Sequence, residues 1–181
     1  IKVHCVIIES DWKEIDTIPG EAKLLSYGMD FGYSVDPTTL IALYKYNDAY
    51  IFDEVLYKTG MLNRDISRYL NQHNIKENII ADSAEPKSIS ELSQYGHNIF
   101  PCTKGRDSVI YGINLINQNE IYVTQRSKNL KRELQGYVWS KDKEGNTLQK
   151  PEGEHPDCID AARYVLTDVL ENPHKGQYFI Y

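Results

Sequence analysis

Residues 24–32 read LLSYGMDFG, an apolar run that ends in the acid Asp30 and a glycine. Such a run predicts a buried strand with a carboxylate at its tip. Residues 38–46 and 49–57 predict two further strands, because both are rich in β-branched and aromatic side chains. Asn47-Asp48 between them predicts a tight hairpin turn. We therefore expect the fold to open with three consecutive antiparallel strands.

The hydrophobic period changes after these strands. Five helices are predicted. One spans about 61–73, one runs from Pro86 to Tyr95, one begins at Asp107, one follows the strand at 120–123 and ends at about Gly136, and the last runs from Pro156 to Asn172. Short strands are predicted at 78–81, 98–102 and 120–123, and a hairpin at 137–150. The expected fold is a mixed α/β sheet, in which three antiparallel strands precede short parallel ones, with helices on both faces.

Length and composition limit the classes of protein that this chain can represent. Its 181 residues suit one domain, which we place at residues 24–172, after an approach segment at 1–23 and before a tail at 173–181. Neither a membrane span nor a signal peptide is predicted. The three cysteines lack CxxC spacing, which disfavours structural zinc and favours a reducing compartment. The net charge of −6 disfavours a basic coat for nucleic acid but permits a local basic groove.

Acidic residues stand at the ends of predicted elements. Asp30 and Asp82 each end a short apolar run, and Asp157 opens a helix with Asp160 on the same face. Each could merely cap a helix or turn. Convergent carboxylates repel one another unless cations lie between them, and a pair of Mg²⁺ or Mn²⁺ ions is the usual answer. The pattern predicts phosphodiester hydrolysis, with Asp30 bridging two ions flanked by Asp82 and Asp157.

Several segments, in their order along the chain, resemble the C-terminal nuclease domain of phage terminase large subunits, the DNA-packaging motor proteins. The segments are Trp12 to Pro19, Tyr27 to Tyr33 with Asp36-Pro37-Thr38, Ala81 to Ile89, Lys104 to Val109 with Gly112-Ile113, Tyr137 to Trp139, and His155 with Asp157 to Tyr164. The resemblance implies a ribonuclease H-like fold and metal-dependent endonucleolytic cutting of double-stranded concatemeric DNA. It places the protein in the cytoplasm of an infected bacterium.

The resemblance also implies partners beyond this segment of a longer protein. These are an N-terminal ATPase domain, a small terminase subunit and a portal. No GxxxxGK[ST] phosphate loop occurs in the 181 residues, so this segment is not expected to hydrolyse ATP.

Residue roles carry over by matching positions. Asp30, Asp82 and Asp157 match the metal ligands of the family, and Asp160 matches as an alternative or additional ligand, because some relatives have two adjacent acids where this chain has Pro156-Asp157. The accessory candidates are Asp36, Glu85 and His155. Phosphate contacts need basic side chains near the acids, and the candidates are Lys87, Lys104, Arg106 and Arg163.

Two other functions remain open on the sequence alone. The same acids would suit another ribonuclease H-like enzyme, such as a junction resolvase, a transposase core or a nuclease of RNA–DNA hybrids. A non-catalytic docking module of the packaging motor would use the acids only as caps. A protein kinase is excluded, because Asp-Phe-Gly is preceded by neither a Gly-rich loop nor a His-Arg-Asp motif.

Overall fold

A mixed seven-stranded sheet forms the centre of the protein in a computed structural model, which describes residues 7–9, 11–153 and 156–172. The strands are β1 (Lys13–Ile15), β2 (Lys23–Asp30), β3 (Thr38–Tyr46), β4 (Ala49–Lys58), β5 (Ile79–Ala81), β6 (Ile99–Pro101) and β7 (Ile121–Thr124). Their spatial order is β1-β7-β4-β3-β2-β5-β6. The predicted mixed sheet is confirmed.

The middle of the sheet is the antiparallel meander β2-β3-β4. A tight turn joins β3 to β4 at Asn47, whose φ of 51° lies in the left-handed region that asparagine tolerates. Along β3, Leu40 and Ala42 face one hydrophobic cluster while Ile41 and Leu43 face the other. This alternation is expected for a strand covered on both faces.

Parallel strands extend the meander on both sides. β5 pairs with β2 and β6 with β5, while β7 pairs with β4 and β1 with β7. The strand β1 falls within residues 1–23, which the sequence analysis treated as an approach segment. Its pairing with β7, together with the burial of Ile7 and Ile8 in the core, adds part of that segment to the folded unit.

Five helices cover the sheet in the described part of the chain. They are α1 (Asn63–Gln72), α2 (Pro86–Gln94), α3 (Ser108–Gln118), α4 (Lys128–Gly136) and α5 (Asp157–Glu171). Side chains of α1 and α2 join one core cluster, and those of α3, α4 and α5 join the other. The predicted covering of both faces is confirmed, with helix ends within one or two residues of those expected.

The helix α5 lies unusually close to β2. A Cβ atom added to Gly28 would stand 1.9 Å from the carbonyl oxygen of Ala161, so a side chain there is incompatible with the observed approach. Asp30 follows Gly28 by two residues on the same strand and therefore faces α5 as well. This contact brings the start of α5 to the end of β2.

The predicted hairpin forms a separate two-stranded sheet, β8 (Trp139–Lys141) and β9 (Thr147–Pro151). Gly145 takes a φ of 88° in its turn. Within the described ranges, no helix is both long and apolar enough to cross a membrane.

Candidate active site

The carboxylates of Asp30 and Asp82 meet because two parallel strands end side by side. Asp30 is the last residue of β2, and Asp82 directly follows β5. Met29 and Ala81 are partners in the parallel ladder, and the Asp82 amide donates to the Met29 carbonyl oxygen at 3.2 Å. Carboxyl ends of parallel strands meet at one edge of a sheet, which is the common place for functional groups in α/β folds.

The first turn of α5 brings in Asp157 and Asp160. Thr39 is the ladder partner of Asp30, and its hydroxyl donates to the carbonyl oxygen of Asp157 at 3.1 Å. A residue of β3 thus ties the start of α5 to the strand pair that carries Asp30. The acids that the sequence placed at the ends of separate elements are therefore neighbours.

One cleft of about 550 Å³ receives all four side chains, which we call the acid cluster: Asp30, Asp82, Asp157 and Asp160. Asp36 also lines this cleft, as do the cations Lys104 and Arg163. The cleft is open to solvent, yet Asp30 at its floor is only 9% exposed. A polymer backbone could reach the cluster from outside.

The electrostatics of the cleft are dominated by mutual repulsion. Burial and, after it, the negative charges of the other three acids raise the pKa of Asp30 to about 8, while Lys104 acts in the opposite direction. The carboxyl group of Asp30 therefore lacks enough positive charge around it to remain ionised at neutral pH. Such a shift is typical of sites whose chemistry needs concentrated charge.

Asp82 and Asp160 each contact a basic side chain. Asp82 forms an ion pair with the ammonium group of Lys104 through Oδ1, which also accepts a hydrogen bond from the Ala84 amide at 2.9 Å. The same ammonium lies 5.7 Å from the centre of the Tyr164 ring. Lys104, predicted to contact phosphate, thus stands beside the acid cluster on an exposed loop.

Arg163, which was predicted to contact phosphate, is instead buried against Asp160. Its Nε and one terminal nitrogen donate to Asp160 Oδ1 at 3.2 and 2.7 Å, and the two side chains are 5% and 6% exposed. Packing of Arg163 against Gly112 contributes to this burial. A guanidinium group that is so buried exposes little surface to DNA. Its main contact in the structure is Asp160. This pairing also makes Asp160 a weaker candidate for metal binding than the sequence suggested.

The chemistry of the donor set fits a hard divalent cation. Carboxylate oxygens are the ligands that Mg²⁺ and Mn²⁺ favour, and the repulsion around Asp30 is the kind that such an ion relieves. Across residues 7–9, 11–153 and 156–172, however, no three His, Cys, Asp or Glu side chains already form a group that could hold a metal. Asp82 is paired with Lys104 and Asp160 with Arg163.

The remaining predicted residues occupy different places. Glu85 is exposed and shares with Asp36 a neighbouring cleft of about 500 Å³, formed by the β2–β3 loop and the starts of α1 and α2. Arg106 is exposed and lines, with Lys104, a pocket of about 250 Å³ next to the acid cluster. Lys87 is exposed in the first turn of α2. His155 lies outside the described residues.

Sequence reasoning missed Thr39, Tyr164 and Glu133. Tyr164 lines the acid cleft, where burial raises the pKa of its hydroxyl above the usual range. Glu133 accepts a hydrogen bond from the Ile159 amide in the first turn of α5. Tyr164 was at least within a segment that resembled the family. Thr39 and Glu133 carried no signal, because each acts through a contact made across the fold.

The comparisons with known proteins agree with the fold described above. Residues 30–168 match the family model described as the terminase RNAseH like domain. The chain belongs to this family. Its terminase domain is 32% identical, over 146 residues, to the terminase large subunit of Bacillus phage SPP1, covering 77% of this chain and 35% of that protein. The PBSX phage terminase large subunit of Bacillus subtilis is 29% identical over 160 residues, with 82% and 36% covered.

Solved structures show the same fold for the terminase domain. The large terminase nuclease domain of bacteriophage SPP1, solved with bound Mn, has a TM-score of 0.74 at 25% identity, with 88% of this chain and 97% of that chain covered. The large terminase nuclease of phage G20c, solved with bound magnesium, has a TM-score of 0.66 at 15% identity, with 92% and 98% covered. The chain spans about a third of the curated relatives but nearly all of these nuclease domains.

Proposed function

We propose that this terminase domain is a divalent-metal-dependent endonuclease that cuts double-stranded concatemeric DNA during viral genome packaging. The observation that carries the proposal is the convergence of the acid cluster on one open cleft at the ends of β2, β5 and the start of α5. The metal-bound nuclease domains of similar fold support the same chemistry.

The residues that would hold two Mg²⁺ or Mn²⁺ ions are Asp30, Asp82 and Asp157. Asp30 is the most buried of the three and lies at the centre of the repulsion, which suits a carboxylate shared between two ions. When bound, the ions would lower the pKa of the attacking water and stabilise charge on the leaving oxygen. We assign Asp160 the task of orienting Arg163 and adding negative charge, with Asp157 as the third ligand.

The protein's own groups organise the site around this chemistry. The β2–β5 ladder fixes the spacing of Asp30 and Asp82, and Thr39 holds the Asp157 backbone against it. Asp36 and Glu85 are accessory acids on the side of the β2–β3 loop. His155 remains an accessory candidate on sequence grounds.

DNA would reach the cleft along its basic rim. Lys104 and Arg106 share a loop that leads from the acid cluster into the neighbouring pocket, and both side chains are exposed. Lys87 would add a contact at the start of α2, where backbone amides also favour anions. Phosphate contacts of this kind supply sequence-independent affinity. A phosphate that takes over the ammonium of Lys104 would release Asp82 for metal binding.

We infer the setting of the reaction from the relatives, of which the matched region covers 35% and 36%. We propose that the intact protein joins this domain to an ATPase domain and acts with a small terminase subunit and a portal. The proposed site of action is the cytoplasm of the infected bacterium.

Cleavage of supercoiled plasmid by the purified domain tests the proposal. We expect cutting in Mn²⁺ or Mg²⁺ and none in chelator. Asp30→Asn and Asp82→Asn should each reduce the rate by more than about 10²-fold, beyond the 10–100-fold effects of residues that only support a ligand. Asp48→Asn, the same change at the Asn47-Asp48 turn on the opposite end of β3, should cut at the normal rate.

A panel of substrates distinguishes this function from the other ribonuclease H-like activities. Plain duplex, a four-way junction and an RNA–DNA hybrid would be compared at equal concentration. Preference for the junction or the hybrid would replace packaging cleavage by another ribonuclease H-like activity. Cutting by Asp30→Asn at the normal rate would refute the assignment of the acids.

A further inference from the structure

We propose that Glu133 is a positioning residue that holds the first turn of α5, and with it Asp157, in place for metal binding. The inference rests on the proposed function, since it concerns how the third acid of that site is oriented. It adds a residue on a different helix, outside the cleft and outside every segment that resembled the family.

The contact that carries the proposal joins two helices. Glu133 lies on α4, and its Oε2 accepts a hydrogen bond from the backbone amide of Ile159, at 3.0 Å, across 26 residues of sequence. The first amides of a helix need an acceptor from outside the helix. Pro156, the residue before α5, has a ring without a hydrogen-bonding group. Glu133 therefore takes the role that a capping side chain would have.

The position of this contact matters because Asp157 is the first residue of α5. The second turn of the helix is locked against β2 by the close approach of Ala161 to Gly28. The first turn lies beyond that lock, and helix ends fray. Glu133 from α4 and Thr39 from β3 contact this turn from different sides. Loss of the Glu133 contact would remove one of these supports from the turn that carries Asp157.

The choice of a carboxylate at position 133 is costly for stability. Burial and, to a lesser extent, the negative charge of Asp157 raise the pKa of Glu133 to about 7, although the hydrogen bond from the Ile159 amide lowers it. A glutamine would accept the same hydrogen bond without this cost. A negative charge behind the start of α5 does strengthen a cation site in front of it. The residue type thus suits the support of a metal ligand better than simple capping.

The test measures metal binding and helix order separately, in the whole domain. Mn²⁺ affinity would be obtained by calorimetric titration, and exchange of the Ile159 amide by nuclear magnetic resonance. We expect Glu133→Ala to weaken Mn²⁺ binding by about 10–100-fold and to speed Ile159 exchange. Glu133→Gln, which keeps the acceptor but removes the charge, should restore slow exchange and give a Mn²⁺ affinity between those of Glu133→Ala and the unaltered domain.

A matched control comes from the opposite face of the sheet. Asp65 accepts a hydrogen bond from the Leu62 amide at 3.0 Å at the start of α1, so Asp65→Ala removes a similar contact far from α5. We expect it to leave Mn²⁺ affinity and Ile159 exchange unchanged. Should Glu133→Ala fail to fold, Glu133→Asp replaces it, because the shorter side chain keeps the charge but loses reach to the Ile159 amide.

Two results would overturn the inference. Normal Mn²⁺ affinity together with fast Ile159 exchange would make Glu133 a cap without influence on the metal site. Unchanged exchange in both Glu133→Ala and Glu133→Asp would show that the contact does not hold the helix start. If the unaltered domain binds no Mn²⁺, the proposed function fails, and the exchange measurement alone decides whether Glu133 holds the first turn.

Discussion

Individual residues of the cleft show how a concentration of negative charge is kept within a folded protein. Asp82 has Lys104 beside it, and Asp160 has Arg163, whereas the pKa of Asp30 is raised to about 8. The two cations differ in exposure, since Arg163 is buried and Lys104 stands on an exposed loop. Arg163 therefore belongs to the permanent structure, while Lys104 can exchange its partner.

The first prediction concerns the buried pair. Arg163→Ala should lower the free energy of unfolding by about 3–5 kcal/mol, because Asp160 would keep a buried charge without its cation. Denaturation in urea measures the change. Arg68→Ala is the matched control: Arg68 and Asp65 have the same three-residue spacing on a helix, but the arginine is 65% exposed. Its loss should cost less than about 1 kcal/mol. Equal effects of the two substitutions would contradict this account.

At the scale of elements, the site depends on the packing of α5 on β2. Gly28 permits the approach, and Asp30 and Asp157 lie just beyond it on their respective elements. The sequence shows a glycine at position 28 but does not show why a side chain is excluded there. The atom that excludes it is the carbonyl oxygen of Ala161, on a distant element. The geometry of the cleft is thus set by a backbone contact between elements distant in sequence.

The second prediction tests this contact. Gly28→Ala should destabilise the domain by about 1–3 kcal/mol through overpacking. It should also slow DNA cleavage by up to about 10²-fold, because a displacement near 1 Å misplaces Asp157 relative to Asp30. Gly20→Ala is the control, since its added Cβ meets nothing within 4 Å. A Gly28→Ala protein with normal stability and cleavage would show that α5 can shift without consequence.

For the whole molecule, the acid cluster makes stability depend on pH. The pKa of Asp30 is near 3.8 in an unfolded chain and about 8 in the folded protein. Between these values the unfolded state has released the proton that the folded state keeps. The folded state therefore loses stability as pH rises from about 4 to about 8, by at most about 1.4 kcal/mol per pH unit from this one group.

The third prediction follows from this loss of stability as pH rises. In chelator, Asp30→Asn should gain stability relative to the unaltered domain as pH rises from 6 to 8, by about 1–2 kcal/mol. Urea denaturation at several pH values measures the difference, and the comparison removes the shared contributions of other groups. Saturating Mn²⁺ should abolish or reverse it, because an ion bound only by the native state stabilises that state. If the stabilities of Asp30→Asn and the unaltered domain changed with pH in parallel, the raised pKa assigned to Asp30 would be contradicted.

Some parts of this arrangement followed from local sequence alone. The strands β2 to β4, the tight turn at Asn47 and the start of α2 at Pro86 were predictable, because alternation, turn residues and helix-start signals act within a few residues. Asp30 and Asp82 were identifiable as candidate site residues for the same reason, since Asp30 ends a buried strand and Asp82 directly follows one. These features depend on side-chain chemistry and on the short-range geometry of the backbone.

Tertiary structure alone decided what surrounds the acids. The bond from Thr39 to Asp157 spans 118 residues, and the pairing of Lys104 with Asp82 spans 22. The contact from Glu133 to Ile159 and the burial of Arg163 likewise exist only once α4, α5 and the sheet are packed. No local pattern specifies such partners, because many exposed positions carry the same residue types. The amino-acid sequence thus determined which acids could act, and the packing of distant elements determined their neighbours, their charge and their orientation.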